Sequence, residues 1–129
     1  VIKEVKSGYT ATYQLEKKTV MNWVFRKTGI WARIYGDNAG RYEEVIAALP
    51  ADMQKKMTAS RDCKRLIDPD ACSGTCVKGF VYSLNGETQK KCRNDGMLFL
   101  LTEETAEYIA GLICAEVAVR KLALQQLNR

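Results

Sequence analysis

Four of the five cysteines in this chain lie close together in the sequence and could hold a metal ion; they are Cys63, Cys72, Cys76 and Cys92. Zinc in structural sites binds four thiolates in a tetrahedron, at about 2.3 Å from each sulfur. In the stretch "CSGTC", Cys72 and Cys76 would supply a close pair of ligands, and Gly74 would let the turn between them close. The pattern predicts a zinc site formed by all four cysteines. Such a site would be structural, because four protein thiolates leave no position open for catalysis.

Two other interpretations of these cysteines stay open, because their spacing is not the standard two-by-two array of CxxC pairs. They could form two disulfides, or they could be unconnected thiols. An iron–sulfur cluster would also accept four thiolates, but none of the usual cluster spacings occurs. The odd number of cysteines favours a cytoplasmic protein, since a reducing compartment tolerates an unpaired thiol.

The stretch 63–78 has few apolar side chains, mainly Leu66, Ile67 and Val77. Ordering each residue costs roughly 1–2 kcal/mol of backbone entropy, which so few apolar groups offset poorly. A bound metal would supply stabilising free energy and would tie this loop to the segment that carries Cys92.

Basic side chains crowd the same stretch, and the whole chain carries a formal net charge of +5. Cations beside the cysteines would stabilise a centre of bound thiolates. The same cations could form a surface for nucleic acid, or an ordinary solvated face. A basic nucleic-acid-binding domain is therefore the first alternative function. The side chains concerned are Lys64, Arg65, Lys78, Lys90, Lys91 and Arg93.

Catalytic patterns are weak in this sequence. The chain has no histidine, so the common Cys–His nucleophile pair is impossible. It contains no phosphate loop, dinucleotide fingerprint, HExxH motif or nucleophile elbow. Cys114, the fifth cysteine, is interpreted as a partly exposed thiol. An enzyme that uses a cysteine or a carboxylate is the second alternative, with no catalytic residue assigned. The available carboxylates are Glu43, Glu44, Asp62, Asp68 and Asp70.

Alternating apolar and polar residues predict the strands that must position the cysteines. The stretches "GYTATYQLE", "TVMNWVFRK" and "IWARIYGD" each alternate with period two and are joined by short turns, which predicts an antiparallel meander. The pair Asn85-Gly86 is a strong hairpin signal, and the second arm of that hairpin would carry Cys92. The apolar run "MLFLL" at 97–101 predicts a central strand.

Helical spacing predicts short helices at 41–49 and 51–60, and one long helix that Thr102 opens as an N-cap and that runs to about Leu127. The predicted fold is a single α+β domain over residues 1–129, with a cysteine-rich loop at 63–92. A largely antiparallel sheet of five to six strands would carry the two short helices and the long C-terminal helix. No stretch approaches the roughly 18 apolar residues of a membrane span, so no membrane contact is predicted.

Aromatic residues alternate on the third of these strands, where Trp31, Arg33 and Tyr35 share one face. Such a face could stack bases or planar ligands, or it could be core beneath the last helix. We expect the core interpretation, with at least one of the two tryptophans buried. The reason is that a sheet covered by a long helix needs large apolar side chains.

The last helix carries two apolar stripes. A single helix buries both only in a deep groove or against a partner chain, so we expect a homodimer through the C-terminal helix. One stripe consists of Ile109, Ile113, Val117 and Leu124, and the other of Tyr108, Leu112, Ala115, Val119 and Leu122.

Several motifs together carry a resemblance: "CKRL" at 63–66, Pro69, Cys72, Cys76, "GFVYSLNGE" at 79–87 and "QKKCR" at 89–93, preceded by "TVMNWVFRKTGIWARIY" and by "LP" at 49–50. From about Thr19 onward the chain resembles a group of small uncharacterised bacterial proteins, mostly Gram-positive, classed under domains of unknown function. At the level of fold it is also similar to YdhG-like domains, in which helices cover an antiparallel sheet. Neither resemblance implies an activity.

The sequence thus predicts a small cytoplasmic bacterial protein that acts as a binding or interaction module and is stabilised by a structural zinc site. Its ligand is not defined by any motif. Nucleic-acid binding and cysteine or carboxylate catalysis are the two alternatives that the structure has to address.

Overall fold

The fold is known from a computed structural model, which describes residues 2–5, 8–67 and 78–127. In these ranges the chain forms seven β-strands, four α-helices and one turn of 3₁₀ helix at Ala39–Arg41. The strands are β1 (Ile2–Val5), β2 (Gly8–Leu15), β3 (Lys18–Arg26), β4 (Gly29–Ile34), β5 (Phe80–Leu84), β6 (Glu87–Lys91) and β7 (Leu98–Leu100). The helices are α1 (Glu43–Ala47), α2 (Ala51–Ala59), α3 (Lys64–Ile67) and α4 (Ala106–Leu127).

Five strands form one antiparallel sheet, the main sheet, in the order β1-β2-β3-β4-β7. Tight turns join its central strands. In the β2–β3 turn, Glu16 and Lys17 have φ angles of 52° and 66°. Two consecutive positive φ angles are typical of the type I′ turn, whose twist matches that of the flanking strands. The predicted α+β class and antiparallel sheet are confirmed; β1 is a strand that the sequence pattern does not predict.

The β5–β6 hairpin forms a separate two-stranded sheet and does not extend the main one. Asn85 and Gly86 turn the chain with φ angles of 54° and 81°, as the sequence predicts. Phe80, Tyr82 and Leu84 are buried in the core on one face of this hairpin. Because the hairpin packs by a face and not by an edge, the expected single sheet of five to six strands is corrected to five strands plus a hairpin.

The hydrophobic core lies between one face of the main sheet and α4. Ala32 and Ile34 of β4 are completely buried on this face, and Ile109 and Leu112 of α4 pack onto it. The short helices and the hairpin complete the core with their own buried side chains. These are mainly Ile46 of α1, Met53 and Met57 of α2, and Phe80, Tyr82 and Leu84 of β5.

The opposite side of the main sheet, called here the outer sheet face, carries Trp31, Arg33 and Tyr35. Successive side chains of a strand point to opposite faces, so the burial of Ala32 against the core places its neighbour Trp31 on the other side. Trp31 is therefore not core beneath the last helix as expected; Tyr35 is buried, but on this outer side of the sheet, with Arg93 over its ring. The expectation of a buried tryptophan is wrong as well, since both Trp31 and Trp23 are half-buried. Trp23 pairs with Ala32 on the core side of the sheet and packs against the core while partly buried.

Helix α4 has twenty-two residues and begins after a reciprocal pair of threonines. The Thr102 hydroxyl accepts a hydrogen bond from the Thr105 N–H at 3.1 Å, and the Thr105 hydroxyl accepts one from the Thr102 N–H at 2.9 Å. This reciprocal arrangement is that of a capping box. Farther along α4, Tyr108 and Leu122 are exposed, and the homodimer stays a prediction. Across the described ranges, no helix combines the length and the apolar character that crossing a bilayer requires.

Candidate metal centre

Cys63 and Cys92 are neighbours in the fold. Asp62 and Lys91 form an antiparallel bridge, and the cysteines are the next residue along each strand. The Cys63 N–H donates to the carbonyl of Lys90 at 2.9 Å, and the Cys92 N–H donates to the carbonyl of Arg61 at 2.8 Å. The two cysteines are therefore diagonal neighbours on the same side of the bridge, and diagonal Cα atoms lie about 7–8 Å apart.

The distance between the two Cα atoms limits how the two sulfurs can be joined. A disulfide needs Cα atoms about 4.4–6.8 Å apart, which is less than the usual diagonal distance. The two thiols are not bonded to each other. A metal ion held between two sulfurs spans a longer gap, since each Zn–S bond adds about 2.3 Å. The arrangement suits two ligands of a shared ion better than a direct bridge.

Cys63 is buried, with 6% of its surface exposed, and a backbone donor points at its sulfur. The Gly79 N–H donates to Cys63 Sγ at 3.3 Å. Gly79 fits here because it has no side chain: a Cβ atom would lie 1.8 Å from the carbonyl oxygen of Lys91 and 3.0 Å from the Cβ of Cys63. A hydrogen bond to sulfur stabilises the thiolate, which is the form that binds metal.

The predicted close pair, Cys72 and Cys76, lies outside the described residues, but the two ends of the loop that carries it are both described. On the first side, the N–H groups of Leu66 and Ile67 donate to the carbonyl of Cys63, at 3.1 and 3.3 Å. On the second side, Gly79 donates to the sulfur of the same residue. Described residues on both sides of the segment 68–77 thus contact Cys63.

No group of three cysteine or acidic side chains that could hold a metal ion occurs among the described residues, which include only two of the four predicted ligands. The four-thiolate site therefore stays a prediction. The fifth cysteine, Cys114, is exposed on α4 as a free thiol.

The basic residues near the cysteines do not act as one cluster. Lys91 is buried, and its ammonium group donates to the carbonyls of Thr58 and Ser60 at 2.8 and 3.1 Å and to Asp62 Oδ1 at 2.7 Å. These three bonds use all its protons and fix β6 to the end of α2. Arg93 pairs with Asp37 at 2.9 Å. Three others, Lys64, Lys78 and Lys90, are exposed.

The candidate carboxylates have structural roles where their contacts are described. Glu43 accepts a hydrogen bond from the Ser83 N–H and holds the hairpin to α1. Asp62 accepts from Lys91, and Glu44 is exposed. Asp68 and Asp70 lie outside the described residues. Asp62 and its ion-pair partner Lys91 line an open cleft, but Lys91 already donates its protons to Asp62 and to two backbone carbonyls, so the geometry adds no support to catalysis by this pair.

Sequence analysis missed the most buried carboxylate of the described residues, Glu116 of α4, which is fully inaccessible to solvent. It accepts four hydrogen bonds: from the Asn38 N–H at 3.1 Å, from Asn38 Nδ2 at 2.7 Å, from the Tyr42 hydroxyl at 2.7 Å and from Arg120 Nε at 2.7 Å. The Glu-to-Arg spacing of four residues was the available signal, because it is typical of a helical ion pair.

The Glu116 network, formed by Asn38, Tyr42, Glu116 and Arg120, holds α4 to the main sheet. The guanidinium group of Arg120 also donates to the carbonyls of Thr19 and Tyr35, both at 2.9 Å. Burial, and then the nearby Glu116 carboxylate, raise the pKa of the Tyr42 hydroxyl well above its usual range. The polar groups of this network are hydrogen-bonded to one another and to the backbone. The network therefore has a structural role and does not act on a substrate.

No family model matches this chain, and no curated protein or solved structure is significantly similar to it. The function has to be inferred from the residues and their arrangement.

Proposed function

We propose that this chain is a small cytoplasmic binding or interaction module, stabilised by a structural zinc ion held by Cys63, Cys72, Cys76 and Cys92. The observation that carries the proposal is the diagonal placement of Cys63 and Cys92 across the Asp62–Lys91 bridge. Two thiols far apart in sequence thereby face the same side of one strand pair. The chain between them supplies the other two ligands.

The described residues on either side of the segment 68–77 support the same proposal. Leu66 and Ile67 donate to the carbonyl of Cys63, and Gly79 donates to its sulfur. Cys76 is only three residues before Gly79 in the sequence, and Cys72 is only five after Ile67. A metal bound by all four thiolates would close this polar loop and fasten it to β6, and the free energy of metal binding would become free energy of folding.

Metal analysis of matched cysteine variants tests the proposal. We expect about one zinc ion per chain in the wild type and in Cys114→Ser, whose thiol is exposed on α4. Cys76→Ser and Cys92→Ser should lose zinc and unfold at lower temperature. Wild-type protein that takes up no zinc, with all its thiols reactive in the folded state, would rule out the metal site. Two disulfides found by mass spectrometry would do the same.

A further inference from the structure

The outer sheet face consists of aligned rows of side chains. In one row, Val24 of β3 pairs with Trp31 of β4, which pairs with Leu100 of β7; in the next, Asn22 pairs with Arg33, which pairs with Leu98. The strands β2, β3, β4 and β7 contain no Asp or Glu. Every charge that these strands contribute is therefore positive.

Cations from outside the sheet reach the aromatic rings on this face. Lys56 of α2 places its ammonium group 5.0 Å from the centre of the Trp31 ring. The guanidinium carbon of Arg93, in the loop after β6, lies 3.9 Å from the centre of the Tyr35 ring. The same loop accepts a hydrogen bond from Arg33 Nε through the carbonyl of Asn94, at 3.0 Å. Aromatic and cationic side chains thus alternate along β4 and the next residue, from half-buried Trp31 through Arg33 to buried Tyr35.

Much of this positive charge is not neutralised within the described part of the chain. Among its residues, Arg26, Arg33 and Lys56 form no salt bridge, and the buried Nε of Arg26 has no hydrogen-bond partner. The acidic residues at the border of the face are already paired with arginine. Asp37 binds Arg93 and Arg120, and Asp95 binds Arg61.

We propose that the outer sheet face binds single-stranded nucleic acid. The Trp31 indole would stack on an unpaired base, and Arg26, Arg33 and Lys56 would contact phosphates. An aromatic surface on a sheet, surrounded by cations, is a general way to bind unpaired bases, because every base has a flat face and every nucleotide a negative charge. A duplex keeps its bases stacked inside and cannot use the ring. The inference rests on the proposed role as a binding module, but not on the zinc site.

Fluorescence anisotropy with a labelled oligouridine and its DNA counterpart, oligothymidine, tests this proposal at several salt concentrations. We expect binding that weakens steeply with salt, because phosphate contacts release counterions. Trp31→Ala should weaken affinity about 5- to 150-fold, from the usual stacking contribution of about 1–3 kcal/mol per base. Trp31→Phe should retain most of the affinity.

Two matched controls separate this face from a general effect of charge or aromatic surface. Arg33→Gln should weaken binding, whereas Lys121→Gln, which removes an exposed cation from α4, should not. Phe25→Ala removes an exposed aromatic ring from the other side of the sheet and should also leave binding unchanged. If Trp31→Ala fails to fold, the comparison of Arg33→Gln with Lys121→Gln still tests whether the outer sheet face binds the oligonucleotide.

Three results would overturn the inference. They are no binding at low salt, equal binding of a duplex with no effect of Trp31→Ala, and equal binding of a poly-glutamate peptide with the same dependence on Arg33. Zinc is measured in each sample. Loss of oligonucleotide binding in protein with its zinc intact rejects only this inference, and loss of zinc without loss of binding rejects only the metal site.

Discussion

Cys63 and Cys92 lie on one side of the antiparallel bridge whose other side is occupied by the ion pair of Asp62 and Lys91. The bridge is held by two backbone hydrogen bonds that the cysteines themselves donate. Because one backbone bridge carries both the ion pair and the two thiols, a change that loosens the ion pair should also loosen the placement of the thiols. Stability and metal binding should therefore change together in this region.

Lys91 gives the first prediction. Lys91→Met should lower the free energy of unfolding by about 2–3 kcal/mol, because a buried ammonium group that makes three hydrogen bonds is replaced by an apolar side chain of similar length. The same variant should bind zinc more weakly. Urea denaturation measures the first effect and competition with a chelator the second. The neighbouring exposed Lys90→Met is the control, and an equal loss in both variants would contradict the structural role of Lys91.

Gly79 gives the second prediction. Gly79→Ala should destabilise the fold by at least about 2 kcal/mol, because the new methyl group would lie 1.8 Å from the carbonyl oxygen of Lys91. Gly111→Ala on α4 meets no atom within 4 Å and should stabilise by about 0.5–1 kcal/mol. Thermal unfolding of the two variants side by side checks both signs. A neutral Gly79→Ala would show that Gly79 is not closely packed between Cys63 and β6.

Glu116 gives the third prediction. Glu116→Ala should cost about 3–5 kcal/mol of stability, because it removes the carboxylate nearest to Arg120 and leaves the buried Tyr42 hydroxyl without its acceptor. Glu107→Ala, at an exposed position of the same helix, should change stability by less than about 0.5 kcal/mol. Denaturant unfolding of both variants gives the comparison. If the two variants proved equally stable, the Glu116 network would not hold α4 to the main sheet.

Two buried tyrosines give a prediction for alkaline pH. Burial raises the pKa of Tyr82 to about 12, and the pKa of Tyr42 is raised further, whereas a tyrosine in the unfolded chain titrates near pH 10. Below pH 10 both hydroxyls are protonated in both states, and their contribution to stability is constant. Above pH 10 the unfolded chain loses protons that the folded chain keeps, so the free energy of unfolding should fall by up to about 1.4 kcal/mol per pH unit for each tyrosine.

Phenylalanine variants assign this alkaline loss. Tyr42→Phe should reduce the slope of stability against pH between pH 10 and 12 by about half, since one of two contributing groups is removed. Tyr82→Phe, which removes the other buried hydroxyl with a raised pKa, should also reduce the slope. Urea denaturation at each pH provides the slopes. A slope for Tyr42→Phe identical to that of the wild type would mean that Tyr42 ionises as easily in the folded chain as in the unfolded one.

Local pattern predicted most strands of this fold. Period-two alternation predicted β2, β3 and β4, and Asn85-Gly86 predicted the hairpin, because each signal depends only on neighbouring residues. The pattern could not decide which face of β4 is buried, since Trp31 and Ile34 are both suitable for a core. That choice depends on the shape of α4, which packs over Ala32 and Ile34.

Contacts between distant residues account for what the sequence did not predict. Glu116 lies among buried apolar residues of α4, and its burial depends on Asn38 and Tyr42, which no local pattern connects to it. Cys92 follows the second arm of the hairpin, as its sequence position implies. The convergence of all four cysteines, the homodimer and the family resemblance stay predictions. Light scattering at micromolar concentration tests the homodimer, and a monomer would contradict it.

X-ray absorption at the zinc K-edge tests the central claim most directly, because it reports the atoms bound to the metal. The sample is purified wild-type protein supplied with one equivalent of zinc. We expect four sulfur ligands at about 2.3 Å and no nitrogen or oxygen ligand. Protein that binds no zinc, or a spectrum dominated by nitrogen or oxygen at about 2.0–2.1 Å, would contradict a structural site formed by Cys63, Cys72, Cys76 and Cys92.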